Sequence, residues 1–307
     1  MKKLSFFTQL ITVALLSCLF MISCKKEHSG TLSAGQEELA ATQSSESETE
    51  NEVVFNDVFD NVFGVNTEVG IGGTGIFGRV ATNGRETRTD SLPSCTIISI
   101  TLLNAPARFP MKIVIDFGAG CIGRDGHKRS GKIITEYSGR LIEPGSSAIT
   151  HFENFKFDSI SVSGIHKISN TTTSGSNQRQ FTIEITDARL TRLNGDYSLW
   201  SSQRLITQVE GNGTSQIPVD DIFRITGNAH GKVKHGDLIY AWQSEIIEPL
   251  IKKFTCAWIS KGSLRVKRET LPDNSRWASI LNYGQGDCDF LATLTINNEV
   301  HHIQLPH

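Results

Sequence analysis

The spacing of apolar residues changes once along the chain, near residue 94. Before that point, one segment of residues 53–65 carries apolar side chains at helical intervals, namely Val54, Phe55, Val58, Phe59, Val62 and Phe63. Apolar residues three or four positions apart form a stripe on one face of a helix. The pattern therefore predicts one short N-terminal amphipathic helix that packs against the domain following it.

From residue 94 to the end, β-branched and aromatic residues alternate with polar ones. Turn sequences such as Glu143-Pro144-Gly145 and Asn194-Gly195 interrupt this alternation, and no segment between them has a helical pattern. Without crossover helices, consecutive strands pair antiparallel. We therefore predict an all-β domain over residues 94–307, an antiparallel meander of about 11–13 strands that forms a sandwich, an open barrel or an extended curved sheet.

The first residues have the layout of a secretory signal. Two lysines precede an apolar stretch over residues 4–22, and Ser23-Cys24 follows. The stretch is nearly long enough to span a bilayer, but it is diluted by polar residues and ends at a cysteine. Met21-Ile22-Ser23-Cys24 resembles a bacterial lipobox, and Leu15-Leu16-Ser17-Cys18 is a second candidate. The favoured interpretation is a signal peptide over residues 1–23 and a lipid on Cys24, which anchors the chain to a membrane.

Residues 24–52 are rich in Ser, Thr, Glu and Gln and have almost no large apolar groups. Such a segment buries too little surface to offset its ordering entropy, so we expect a disordered tether. Residues 53–93 then contain the predicted helix and a Gly-rich connector.

Four cysteines follow the leader, an even number that favours two disulfides in an exported chain. Cys95 and Cys256 each open a strand, and a Phe/Tyr-Gly-x-Gly turn leads to Cys121 and to Cys288. Spacing alone leaves three pairings open, and this echo favours Cys95 with Cys121 and Cys256 with Cys288. The same echo raises the hypothesis of two pseudo-repeated halves.

Charge and motifs argue against nucleic acid and nucleotides as partners. The net charge is −2 without a basic cluster, whereas nucleic-acid binding needs a basic surface. Residues 126–132 match most of a phosphate-binding loop, but Ile133 replaces the required Ser or Thr and a strand pattern follows. Residues 70–75 match a dinucleotide motif in the reverse structural context. We interpret both as glycine-containing connections.

No residue set has a recognisable catalytic or metal-binding pattern. The serine-hydrolase motif G-x-S-x-G is missing from the sequence. A hydrolase alternative rests on carboxylate pairs that sequence cannot assign, and metal binding on scattered groups short of a ligand set. We therefore predict no enzyme, no cofactor and no metal. The residues considered are Asp220, Asp221, Glu245 and Glu248 for hydrolysis, and His230, His235, His301, His302, Asp287 and Asp289 for metal.

Tryptophans provide the candidate ligand-stacking residues. Trp200, Trp242 and Trp277 lie on separate predicted strands and would form a glycan-binding platform if they were exposed. Buried, they would be ordinary core residues. Trp258 lies two residues from Cys256, where we expect it to pack against a disulfide.

Several motifs in the β region resemble an uncharacterised lipoprotein family common in Bacteroidota. They are the Phe109-Pro110 to Cys121 run, Asp125-Gly126 with Arg129-Ser130-Gly131-Lys132-Ile133, and Tyr283-Gly284-x-Gly286-x-Cys288-Asp289. The resemblance implies an outer-membrane lipoprotein on the periplasmic face or the cell surface and brings no activity with it. We expect a non-catalytic binding or structural domain with a glycan or an envelope protein as candidate partner.

Overall fold

One helix and one large sheet form most of the described chain. The computed structural model describes residues 32–65, 69, 81–82, 85–86, 95–123, 125–213, 220–256 and 258–305. The helix α1 spans Ala34–Gly64. The strands are β1 (Ala81–Thr82), β2 (Arg85–Glu86), β3 (Ile97–Leu102), β4 (Met111–Asp116), β5 (Cys121–Ile122), β6 (Lys128–Tyr137), β7 (Ser147–Phe157), β8 (Ile160–Asn170), β9 (Gln180–Thr191), β10 (Tyr197–Glu210), β11 (Ile222–His235), β12 (Leu238–Lys253), β13 (Ile259–Arg268), β14 (Ser279–Gln285), β15 (Leu291–Ile296) and β16 (Glu299–Gln304).

The large sheet is a continuous antiparallel meander of 14 strands. Its order is β16-β15-β14-β13-β12-β11-β10-β9-β8-β7-β6-β4-β3, with the short β5 pairing to β6, while β1 and β2 form a separate pair. The sheet is open, and β3 and β16 are its edges. This architecture confirms the predicted all-β meander and selects a single open sheet over a sandwich.

Each long strand buries one face, as its alternating sequence predicts. In β10, Trp200, Arg204 and Ile206 are buried, whereas Gln203 and Leu205 between them are exposed. Successive side chains of a strand point to opposite faces, so the buried set defines an inner face. The apolar core lies on this face.

Bulges interrupt the pairing of most long strands and let the sheet bend. Gly227 at the β11–β12 irregularity has a φ of 135°, and a Cβ there would collide with the backbone carbonyl of Gln203 on β10. Bulges and glycine kinks of this kind bend strands and increase their twist. The inner face can therefore curve around an inserted element.

That element is α1, which corrects the predicted tether and the predicted short helix. The helix has 31 residues and begins after Ser33, whose side chain forms a capping box with Gln36. It packs against β7 and against β10 to β15. Residues 34–52, predicted to be disordered, are therefore the first part of a helix in the core.

The two halves of α1 pack in different ways. The second half uses the predicted aromatic stripe: Phe55 stacks on Trp200 with ring centroids 5.5 Å apart, and Phe63 meets Phe181 edge-on at 5.1 Å. The first half buries small and polar residues, including Ala40, Ala41 and Ser44. Small side chains let the helix backbone approach the sheet closely.

Both predicted disulfides are confirmed. Cys95 bonds to Cys121 and Cys256 bonds to Cys288, with Cα atoms 5.5 and 5.7 Å apart. Neighbouring strands alternate in direction, so β4 and β14 run in opposite directions. The disulfides that follow these two strands therefore lie at opposite ends of the sheet. Disulfides persist in oxidising compartments, so the folded chain belongs outside the cytoplasm.

The echo around the disulfides also has a structural basis. The backbone N–H of Gly118 donates to Asp116, and that of Gly284 donates to Asn282, each over 2.8 Å. Both turns thus use a side-chain oxygen two residues upstream, in the manner of an Asx turn. The similarity is local to these turns and does not establish a repeat of the two halves.

The aromatic half of α1 should dominate the stability of the helix–sheet interface. We expect Phe55→Ala to lower the free energy of unfolding by about 3–5 kcal/mol, because it leaves a cavity between Trp200 and Phe152. Leu39→Ala is the control, since Leu39 on the same helix is 38% exposed. Urea unfolding measures both, and equal losses for the two variants would contradict this description of the core.

Candidate functional site: the polar helix–sheet interface

The candidate stacking tryptophans do not form an exposed platform. Trp200 and Trp242 are 2% and 1% exposed, which corrects their assignment as exposed stacking residues. Trp277 is partly buried, and Arg276 lies 4.7 Å from its ring centroid. Trp258 is also partly buried and packs near Phe290, 6.1 Å between centroids. The two central tryptophans are covered because α1 lies on the inner face.

The segment that resembles a phosphate-binding loop, residues 126–132, instead contributes to holding α1 on the sheet. Ile133 follows Lys132 inside β6, so the expected strand is present where a phosphate loop requires a helix. Lys132 pairs with Glu153 of the neighbouring strand over 2.6 Å. Gly131 has a φ of 75° at a bulge, where a Cβ would collide with the backbone of Asn154. These residues line an open polar depression on the sheet, in which the lysine charge is already paired.

Other predicted positions are either dispersed or outside the described residues. Asp221 is buried and Asp220 exposed, while Glu245 and Glu248 are exposed on β12. Asp289 accepts a hydrogen bond from the Leu291 N–H. The signal peptide, Cys24 and residues 70–75 lie outside the described residues.

One histidine considered for metal binding, His301, lies in a cluster with two carboxylates. Glu38 on α1 and Glu299 and His301 on β16 place one ligand atom each within 4.8 Å of the others. All three side chains are exposed, and His302 points to the opposite face of its strand. Sequence spacing could not place Glu38 there, because it comes from the distant helix.

Glu48 of α1 is buried in the interface and is hydrogen-bonded through both carboxylate oxygens. Its carboxylate accepts hydrogen bonds from Arg204 at 2.6 Å, from the Trp200 indole at 2.7 Å and from Ser244 at 2.8 Å. Glu52, one helical turn later, also accepts from Arg204 at 3.1 Å. Charges are rarely buried unless they are paired and hydrogen-bonded. Here Arg204 forms ion pairs with both glutamates.

Burial and pairing act against each other on these groups. Burial raises the pKa of the Glu48 carboxyl, although Arg204 opposes the shift. Burial alone would lower the pKa of the Arg204 guanidinium, but Glu52 and Glu48 outweigh it and hold that pKa above its ordinary value. The arginine therefore stays charged within the interface, and the glutamates supply its counter-charge.

Two further arginines grip α1 towards its ends. Near the start of the helix, Arg268 of β13 donates to both oxygens of Glu37, with the Nε bond at 2.9 Å. In the second half, Arg129 of β6 is ion-paired with Asp57 and also with Asp125, the latter at 2.5 Å. Burial would lower the pKa of Arg129, but Asp57 and Asp125 raise it well above its usual value. We call Arg268, Arg204 and Arg129, with their helix carboxylates, the arginine clamps.

Smaller polar contacts fill the space between the clamps. Ser45 on α1 lies 2.7 Å from Ser279 on β14, oxygen to oxygen. Asn51 donates to the Ser198 hydroxyl at 2.9 Å. Each contact joins residues more than 140 positions apart, so α1 is held by specific partners along its first half.

The remaining space between helix and sheet is small. A cavity of about 20 Å³ is lined by His166, Trp200 and Arg204 together with residues of α1. This is room for about one water molecule. Burial lowers the pKa of His166 to about 3, so its imidazole is neutral. With α1 in place, the inner face has no room here for a larger ligand.

One sequence signal could have revealed the full helix. Ser33 and Gln36 match the capping-box pattern. From there, small or polar residues extend the Phe55 stripe backwards at intervals of three or four, through Asn51, Glu48 and Ser44. Composition concealed this periodicity, because the stripe is polar. The arginines that pair with the helix could not be predicted from the sequence, because contacts between residues so far apart leave no local pattern.

Comparison with known protein families, curated proteins and solved structures finds no match. Among the described residues, no helix combines the length and apolar composition needed to cross a bilayer.

The central clamp should contribute more stability than an ion pair at the rim. We expect Glu48→Ala to lower the free energy of unfolding by about 3–5 kcal/mol, because it removes a buried counter-charge. Glu50→Ala is the matched control on the same helix: the Glu50 and Arg192 side chains are 12% and 33% exposed, so water can solvate the arginine left behind and the loss should be smaller, about 1–2 kcal/mol. Chemical denaturation compares them, and a Glu48→Ala loss no larger than that of the control would contradict the proposed difference.

Asp221 should make stability depend on pH. Burial raises its folded-state pKa to about 7, although Arg179 opposes the shift, whereas an unfolded aspartate has a pKa of about 4. The folded state therefore holds the Asp221 proton more tightly than the unfolded state does. The stabilisation that this gives is complete below about pH 4 and is lost as the pH rises towards 7. Asp221→Asn should become more stable relative to the native chain over this window. Thermal melts across pH test this, with the exposed Glu245→Gln as a control that should show no such trend.

Proposed function

We propose that the chain is an outer-membrane lipoprotein, anchored through an acylated Cys24, whose β domain is a non-catalytic structural or binding element of the cell envelope. The observation that supports the proposal is that α1 occupies the inner face of the sheet. Where a curved sheet would offer a ligand groove, this sheet encloses the chain's own helix, and the buried charged groups of the clamps bind each other.

Export is supported by the disulfides Cys95–Cys121 and Cys256–Cys288. The lipobox at Cys24 and the resemblance to Bacteroidota lipoproteins support the anchor and the outer-membrane location. The oxidising compartment and the lipid signal agree, since lipoproteins of this kind fold after export.

The start of α1 changes the expected distance from the membrane. Only residues 25–33 separate Cys24 from Ala34, and nine residues span at most about 30 Å when fully extended. The anchor would thus be attached close to an element inside the core. A membrane-proximal scaffold fits this arrangement better than a domain carried on a long tether.

The glycan-binding alternative is weakened by the same helix. Trp200 and Trp242 are covered, and the partly buried Trp258 and Trp277 contact Phe290 and Arg276. Stacking on sugars requires an open aromatic face. An envelope protein is therefore the favoured partner class.

Replacing the lipid-bearing cysteine tests the anchor. We expect Cys24→Ala to move the protein from the membrane fraction to the soluble fraction, because no acyl chain would remain. Cys18→Ala is the matched control at the second lipobox and should stay membrane-bound. Fractionation with detection of the protein measures both variants, and membrane retention of Cys24→Ala would refute the anchoring site.

A further inference from the structure

The edge strand β3 is rich in apolar residues, and within the described part of the chain no strand pairs with its outer edge. Ile97 is 66% exposed, Ile100 49% and Leu102 43%. Edge strands in natural proteins are usually protected by charges, prolines or covering segments, because their free N–H and C=O groups pair readily with other strands. Within β3 itself, Ile97–Leu102, no residue is charged and none is proline.

The backbone direction of β3 follows from one bond at its end. The Leu103 N–H donates to the Pro110 carbonyl over 2.9 Å, so Leu103 points its backbone groups towards β4. In an antiparallel strand, alternate residues direct both N–H and C=O to the same side. Ile98, Ile100 and Leu102 therefore direct theirs outward, away from the sheet.

The same three residues carry the inner face past the last covered strand. Ile98, Ile100 and Leu102 lie opposite Ile115, Ile113 and Met111 of β4. Those three β4 residues are buried. Directly paired residues share a face of the sheet, so β3 presents an apolar inner row beside an edge that no other described strand pairs with.

We propose that β3 pairs antiparallel with β3 of a second copy, on a twofold axis through Ile100. This register sets Ile98 against Leu102, Ile100 against Ile100 and Ser99 against Thr101, with Ile97 against Leu103. Every apolar residue then meets an apolar one, and hydroxyl meets hydroxyl. The three pairs that involve Ile98, Ile100 and Leu102 each exchange two backbone bonds, about six in total.

The opposite edge explains why the pairing closes on itself. β16 reads Glu299-Val300-His301-His302-Ile303-Gln304, with a carboxylate and two imidazoles. Such side chains protect an edge, so pairing of β3 with β16 of another copy, which would build an open filament, is disfavoured. An isologous dimer uses the unprotected edge twice and leaves β16 at both outer ends.

Cysteine crosslinking tests the register. In the Cys24→Ala background, Ile100→Cys should form a covalent dimer on mild oxidation, because paired Cα atoms at the axis lie about 5.5 Å apart. Ile98→Cys is the matched control on the same face, and its counterpart in the second copy would lie about four residues away along the strand, too far for a disulfide. Non-reducing electrophoresis reads out both. Equal crosslinking of the two variants, or none with Ile100→Cys, would overturn the proposed register.

Sedimentation tests the dimer without a new thiol. The Cys24→Ala chain should sediment as a dimer, and Ile100→Lys should weaken association by at least about tenfold, because it sets two like charges opposite each other. Thr101→Lys adds the same charge on the outer face and should leave more of the dimer intact. Far-UV circular dichroism spectra like that of the parent chain would show that the variants are folded. A monomeric parent chain, or a dimer indifferent to Ile100→Lys, would disprove the proposal.

Discussion

Everything else in this fold depends on the burial of α1 in the inner face of the sheet. Among the described residues, no second large sheet covers the fourteen strands of the open meander, so their apolar face needs another partner. The helix provides it, with aromatic packing around Phe55 in its second half and the arginine clamps along its length. Since Glu48, Glu37 and Asp57 must each reach a particular arginine, the helix fits in one position, whereas a purely apolar helix could slide.

The sequence predicts those parts of the structure that depend on neighbouring residues. Strand alternation, glycine turns and the echo before Cys121 and Cys288 are local, and they identify the meander and both disulfides. The first half of α1 is different, because Glu48 is stable inside the protein only through Arg204, 156 positions later. The burial of Trp200 and Trp242 was unpredictable for the same reason, since their strand pattern does not reveal that a helix covers them.

The helix also changes the interpretation of the most suggestive motif in the chain. Gly126 and Arg129 belong to the segment that resembles a phosphate-binding loop, yet Arg129 joins Asp125 to Asp57 of α1. The glycine forms the turn that brings the aspartate and arginine together, and Lys132 faces Glu153 on a neighbouring strand. A motif that combines glycine with charged residues thus serves attachment of the helix.

The order of elements along the chain has a consequence for how the protein folds. The helix is near the N-terminus, whereas the partners Ser198, Arg204 and Ser279 lie 147 to 234 positions further along. During synthesis and export, the helix segment is therefore made first and cannot be buried until the later strands that enclose it have formed. Such long-range contacts slow folding and leave chains prone to aggregation. The first half of the helix is rich in serine, threonine and glutamate, so it stays well hydrated until the strands have formed. The same polarity that led to the prediction of a tether thus protects the incompletely folded chain from aggregation.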